Sequence, residues 1–229
     1  MTALVIGATG FVGREVVRQL CVRATATVAH VRPDSRELPR WQQTFGALGA
    51  TVDTTPWEAA ALTARIRELA PAQIYICIGT TRKKAKAEQL AGNIYETIDY
   101  GLTKLAVDAA RASETSPRII YLSSVGANAA SSSAYLAWRG KAEAAVSASG
   151  LPYIIARPAT IHGDRDEHRA GEAVASVVGD GVLAVVGLFG GKGVRAKYRS
   201  TSPDVLAAAL IRLGEQPAAN LVADGDLLR

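Results

Sequence analysis

The sequence predicts a single α/β domain, doubly wound around a mostly parallel sheet. Three observations predict it. Short apolar runs alternate with helix-periodic segments from the first residues onward, which is the pattern of βαβ units. A glycine-rich turn joins the first apolar run to the first periodic segment. No internal repeat or flexible linker breaks the 229 residues, a length that α/β folds often spend on one core. Residues 1–229 therefore form one unit, with a small lip region at about 160–229.

The elements follow in order. The first strand is expected at residues 3–6 and leads through Gly7-Ala8-Thr9-Gly10 into a helix with Val12, Val16, Val17 and Leu20 on one side. A second strand covers 25–31. A polar loop with Pro33 and Pro39 leads to residues 41–48, and a short third strand lies around 50–53. Thr55 or Pro56 opens a helix over 57–69, and Pro71 separates it from the fourth strand at 73–78. A basic loop, Thr80-Thr81-Arg82-Lys83-Lys84-Ala85-Lys86, precedes a long helical stretch to about Ala112. The fifth strand is 118–123. Ser131 to Ser133 supply capping for a helix through Ser147, and 152–157 is the sixth strand. Helical patterns at 172–178 and 203–213, the second with Ser202 as N-cap, frame a Gly-rich segment before a final strand near 221–223.

Composition narrows the class. A net charge of +5 with 48% hydrophobic residues excludes disorder as the main theme. Only two cysteines are present. Cys21 and Cys77 both fall in apolar patterns, so they read as small buried hydrophobes in a reducing compartment, which points to a cytoplasmic protein. The apolar run 181–191 is too short and too Gly-broken for a bilayer span, which takes about 20 residues. The uncharged first 13 residues lack the basic region of a signal peptide and read as strand and turn. No membrane partner is expected. His30, His162 and His168 show no metal-ligand spacing, so no metal is expected.

Gly7-x-x-Gly10-x-x-Gly13 sits where a strand meets a helix, the place at which backbone amides and the helix N-terminus meet a diphosphate. Gly7 allows the tight turn, Gly10 the close approach of backbone to phosphate, and Gly13 the packing of helix on sheet. This spacing is typical of short-chain dehydrogenases/reductases. At the end of the second strand, Arg32 suits a 2′-phosphate and argues for NADP, while Asp34 two residues later leaves NAD as the alternative.

Ser123 and Ser124 end the fifth strand, and Tyr135 lies eleven residues after Ser124 on the next helix. In carbonyl reduction a Tyr hydroxyl, with a free pKa of about 10, passes a proton to the carbonyl oxygen, a Ser hydroxyl holds that oxygen, and a neighbouring cation assists. The cation is normally a Lys four residues after the Tyr. Here that residue is Arg139, which shares the face of Tyr135; Lys141 is turned away.

Four segments carry a wider resemblance: Cys77 to Ala85, Leu122 to Ala127, Tyr135-Leu136 with Arg139-Gly140, and Arg157-Pro158 through Asp164-Arg165. Together they resemble the Tat-interacting oxidoreductases, an atypical branch of the short-chain dehydrogenases/reductases. The resemblance implies a Rossmann-like fold that binds NADPH. Gly7, Thr9, Gly10, Phe11, Val12 and Gly13 would line the pyrophosphate and Arg32 the 2′-phosphate. Ile78, Gly79 and Ser123 would lie along the cofactor, with Ile161 and Arg169 toward its nicotinamide side. Tyr135 matches the family's proton donor, with Ser124 orienting the carbonyl and Arg139, in place of Lys, as electrostatic support and ribose anchor.

The expected function is NADPH-dependent reduction of a small carbonyl or quinone compound. A cofactor-binding regulator that acts on a protein partner is the rival reading, motivated by Arg139, and epimerase-type chemistry is a third. Arg82, Lys83, Lys84 and Lys86 follow the fourth strand and could meet an anionic ligand, but four charges without stacking aromatics make a poor nucleic-acid site, so none is expected. The superfamily commonly forms homo-oligomers.

Overall fold

The computed structural model describes residues 1–80, 92–162 and 200–229. Seven strands form one sheet: β1 (Thr2–Ile6), β2 (Ala26–His30), β3 (Thr51–Asp53), β4 (Gln73–Ile76), β5 (Arg118–Leu122), β6 (Tyr153–Arg157) and β7 (Leu221–Asp224). Their order is β3-β2-β1-β4-β5-β6-β7, and every pairing is parallel. The described helices are α1 (Phe11–Val22), α2 (Leu38–Ala47), α3 (Ala59–Leu69), α4 (Thr103–Ala112), α5 (Ala134–Ser147) and α6 (Pro203–Glu215).

Strand alternation builds the two cores. Ala3 and Val5 face a layer holding Val12, Val16 and Val17 of α1, Trp41 and Phe45 of α2, and Leu206 and Leu210 of α6. Leu4 and Ile6 face the other layer, with Leu62 and Ile66 of α3, Val107 of α4 and Val146 of α5. Burial on both faces explains why the strands read as continuous apolar runs. The edge strands β3 and β7 have only three and four residues, which limits the unpaired backbone they offer.

Three local differences from the sequence reading have physical causes. The helix expected from residue 57 begins at Ala59, because Thr55 instead bonds Asp53: its amide donates to Oδ2 at 3.3 Å and its hydroxyl to Oδ1 at 3.0 Å. Ser133 occupies the N-cap position of α5 without a capping bond from its side chain, and Ser131 Oγ accepts the Ser133 amide at 3.2 Å. The stretch ahead of α4 is a π-helix over Tyr95–Leu102, wider than the α-helix that periodicity predicts. The helix expected at 172–178 and the Gly-rich segment lie outside the described residues.

Candidate functional site

Parallel strands bring their C-terminal ends to one edge, and the predicted site residues follow that edge. At its centre β1 ends in Gly7, whose φ is +80°, and a Cβ there would lie 2.7 Å from the Cys77 carbonyl carbon. The Gly10 amide donates to Gly7 O at 3.0 Å and closes the turn. A Cβ on Gly13 would sit 2.2 Å from Gly7 O, so α1 reaches the sheet only because that atom is missing. Val12 packs into the core beside Ala8, while Thr9 and Phe11 stay partly exposed. α1 opens without a side-chain cap and without an acid in its first turn. Its partial positive end is therefore not neutralised from within that turn.

Arg32 stands exposed just past β2, its Nε 3.8 Å from Asp34 Oδ1. The Ser35 amide donates to Arg32 O at 3.1 Å and fixes the turn that carries both residues. His30, on the inner side, is buried: its Nε2–H donates to Thr55 O at 2.8 Å, and its ring packs edge-on against Trp57.

A dense polar cluster lies where β4 and β5 end. Arg139, on α5, is only 5% exposed. Its Nη1 donates to Tyr121 Oη at 3.1 Å and to Leu122 O at 2.9 Å, and its Nη2 donates to Ile78 O at 3.0 Å. Nη2 also lies 2.9 Å from Oδ1 of Asp99, which is wholly buried in the π-helix. Burial pushes the Asp99 carboxyl up, Arg139 and the Thr80 amide pull it part of the way back, and it stands at about 6. Burial opposes the Arg139 charge, but Tyr121, Tyr135 and Asp99 outweigh it, so the guanidinium stays protonated. A Cβ on Gly79 would meet Nη2 at 2.7 Å. The guanidinium is thus held at the sheet edge by two backbone carbonyls, the Tyr121 hydroxyl and one carboxylate.

Tyr135 lies one helical turn before Arg139, and the guanidinium carbon is 5.5 Å from its ring centroid. Tyr95 of the π-helix also meets that ring, edge-on at 5.4 Å. Ser124 is buried at the end of β5, and its hydroxyl donates weakly to Val125 O at 3.3 Å. Ser123 is directed elsewhere. Its Oγ donates to Glu143 at 2.5 Å, and Glu143 accepts Nε and Nη2 of Arg157 at 2.9 and 2.5 Å. Ile161 forms a bridge to Thr201 beyond β6. Arg169 and the basic loop of Arg82, Lys83, Lys84 and Lys86 lie outside the described residues.

Sequence reasoning missed Asp99, Tyr95 and Glu143, and gave Arg157 only as part of a resembling segment without a role. Glu143 was findable, because Tyr135, Arg139 and Glu143 are spaced by four and share one face of α5. Asp99 was not, because the π-helix shifts the phase on which a helical reading depends.

Residues 7–182 match a family model described as NAD(P)H-binding. The chain belongs to this NAD(P)H-binding family. Among relatives, the Aspergillus fumigatus protein named fmp52, mitochondrial, is 35% identical over 175 residues, covering 73% of this chain and 70% of that protein. The Candida albicans protein FMP52, mitochondrial, is 26% identical over 186 residues, covering 79% of this chain and 76% of that one. In structure, the chain is similar to ChuY, an anaerobillin reductase from Escherichia coli O157:H7, with TM-score 0.65, 18% identity and coverage of 97% of this chain and 95% of that one. The UDP-glucose 4-epimerase of Thermus thermophilus, in complex with NAD, gives TM-score 0.66 and 17% identity over 98% of this chain and 78% of that one. These likenesses show the Rossmann-like fold shared by reductases and epimerases. The relatives' names overturn the cytoplasmic location expected from cysteine content and N-terminal composition, for each is named mitochondrial.

The residues of this NAD(P)H-binding chain fit a dinucleotide. Gly7 and Gly13 stand where a Cβ would collide with backbone, and the uncapped first turn of α1 offers the positive end that a diphosphate requires. The family model matches through the glycine turn and α1 without distinguishing NAD from NADP.

Proposed function

We propose that the chain is a reductase of a small carbonyl or quinone compound that prefers NADPH over NADH, within the atypical branch that resembles the Tat-interacting oxidoreductases. The observation that carries this reading is the position of Tyr135 in the first turn of α5, the helix that follows β5, with the Arg139 guanidinium carbon 5.5 Å from its ring centroid. NADPH, when bound, supplies the hydride. Tyr135 gives its hydroxyl proton to the substrate oxygen as the carbonyl carbon is reduced. Ser124, at the end of β5, orients that oxygen. Arg139 acts through the protein: it holds Ile78 and Leu122 in place and keeps a fixed positive charge beside the tyrosine. Arg32 receives the 2′-phosphate, and the glycine turn receives the diphosphate.

The test is NADPH oxidation against a panel of quinones and aldehydes by the wild type and Tyr135→Phe. We expect turnover on at least one substrate, with a fall of about a hundredfold or more in the variant, the usual loss of a general acid. Full turnover by Tyr135→Phe would remove the assignment.

One observation favours the second reading, a cofactor-binding regulator. The Arg139 guanidinium is committed to Asp99 and backbone carbonyls, so the cation that usually spans tyrosine and ribose is tied down within the protein. NADPH binding without turnover on the whole panel would favour that reading.

A further inference from the structure

Ser124 follows β5 and Tyr135 lies in the first turn of α5, so the spacing of their hydroxyls depends on how the chain between them is held. That segment is docked on the helix it precedes. The Val125 amide donates to Pro158 O at 2.9 Å and the Ala127 amide to Ser124 O at 3.1 Å. Val125 and Ala127 are 3% and 6% exposed and anchor the segment in the interior. The chain then crosses back over α5. The Asn128 amide donates to Leu136 O at 3.1 Å, the carbonyl that helical bonding also offers to the Gly140 amide.

Gly140 makes that crossing possible. A Cβ there would lie 2.3 Å from Ala129 N, 2.4 Å from Asn128 C and 2.7 Å from Asn128 Cα, all of them backbone atoms. Carbon atoms rest at about 3.5–4.0 Å, so a methyl group at 140 lifts the segment by about 1 Å. The turn is shaped for the fit: Asn128 Oδ1 accepts the Ala130 amide and Asn128 O the Ser131 amide, each at 2.9 Å. The Asn128 side chain is otherwise exposed, so its work is to bend its own backbone. Arg139 ties α5 to the chain just past β4 and to the end of β5, and the next residue, Gly140, ties it to the segment that carries Ser124.

We infer that Gly140, with the Asn128 turn docked on it, is a positioning residue for the proposed reduction and sets the spacing of the Ser124 and Tyr135 hydroxyls at the substrate oxygen. The inference rests on the reading that gives those two residues their roles. Gly140 is covered by the Asn128–Ala129 backbone and acts only through it. A displacement of about 1 Å is enough to matter, because reacting groups misplaced by that much lose up to about a hundredfold in rate.

The experiment measures kcat for NADPH oxidation on the quinone and aldehyde panel, and the NADPH dissociation constant. The proteins are wild type, Gly140→Ala, Asn128→Ala, Asn128→Asp, Ser124→Ala and the double variant Ser124→Ala with Gly140→Ala. Gly140→Ala should lower kcat about tenfold or more and leave NADPH affinity within about twofold, since the glycine turn stands on β1. In the Ser124→Ala background the same change should cost less than about twofold, because the spacing it disturbs no longer counts. Asn128→Ala adds no atoms and should slow turnover in the same direction, whereas Asn128→Asp keeps an acceptor oxygen and should stay near the wild-type rate. If Gly140→Ala does not fold, the two Asn128 variants decide. Gly46→Ala is the control, a helical glycine with open space at its Cβ, and should change neither quantity. An unchanged kcat in Gly140→Ala overturns the inference. So does an equal loss in the Ser124→Ala background, a matching loss of NADPH affinity, or an Asn128→Asp as slow as Asn128→Ala. Full turnover by Ser124→Ala overturns it while leaving Tyr135 as proton donor, and a wild type inactive on the whole panel overturns both.

Discussion

Nη2 of Arg139 lies 2.9 Å from Oδ1 of Asp99, with the two side chains 6% and 0% exposed. This contact joins α5 to the π-helix, and it is one rung of a ladder. Tyr95 meets Tyr135, Asp99 meets Arg139, and Tyr100 meets Trp138. The tyrosine proposed to move a proton is therefore seated by a neighbouring helix whose register depends on a buried ion pair. A buried pair is costly to break, because each charge without the other is stranded away from water.

Replacing Arg139 by Lys should harm the protein. A lysine cannot bond Tyr121 Oη, Leu122 O and Ile78 O together while facing Asp99. We expect a stability loss of about 2 kcal/mol from the lost hydrogen bonds, seen in urea unfolding, and no gain in turnover. A faster and equally stable Arg139→Lys enzyme would contradict this account of the cluster.

Asp99 should leave a signature in the pH dependence of stability. Its carboxyl stands at about 6 in the folded chain against an ordinary value of 3.8. The folded state therefore holds the proton more tightly than the unfolded state, so the stabilising contribution is complete below the ordinary value and is lost as pH rises through about 6. Asp99→Asn removes this titration. The difference in unfolding free energy between wild type and variant should shift against the wild type between pH 4 and pH 6, about the interval between the two values. A difference that stays constant over that interval would count against a raised Asp99.

Two glycine substitutions should separate turn from cluster. In Gly13→Ala the new Cβ meets Gly7 O at 2.2 Å, which backbone cannot relieve cheaply, so nucleotide binding and stability should fall together. In Gly79→Ala it meets the end of the Arg139 side chain at 2.7 Å, so the guanidinium is displaced from Ile78 O. Calorimetric titration with NADPH should show a loss in both, and thermal unfolding the larger drop for Gly13→Ala.

Glu143→Gln should loosen the ends of β5 and β6. Glu143 accepts from Ser123 and twice from Arg157, and the neutral amide can no longer pair with the guanidinium. A loss of about 1–3 kcal/mol is expected as a lower denaturant midpoint at unchanged slope. A midpoint equal to that of the wild type would mean that Arg157 finds another acceptor.

The fold was legible because burial on both sheet faces leaves apolar runs, and the glycine turn marks where the first strand passes into its helix. Tyr135 and Arg139 were legible as a pair because four residues make one helical turn. What Arg139 does was not legible. Its partners Ile78, Asp99 and Leu122 come from three other segments, and two of the contacts are to backbone carbonyls, which carry no residue-type signal. The expected serine cap of α5 failed for a related reason: Ser131 bonds within its own turn.

The strand order has a consequence for the making of the protein. β1 is translated first of the seven strands, yet it sits in the interior of the sheet, between β2 and β4. Leu4 and Ile6 cannot be covered on their side until α3 and β4 have left the ribosome, and β6 waits for β7 across more than sixty residues. A nascent chain of this fold thus holds an interior apolar strand without its full set of partners until β4 has been made, and holdase chaperones that bind extended apolar segments should find a target at residues 2–6 until then.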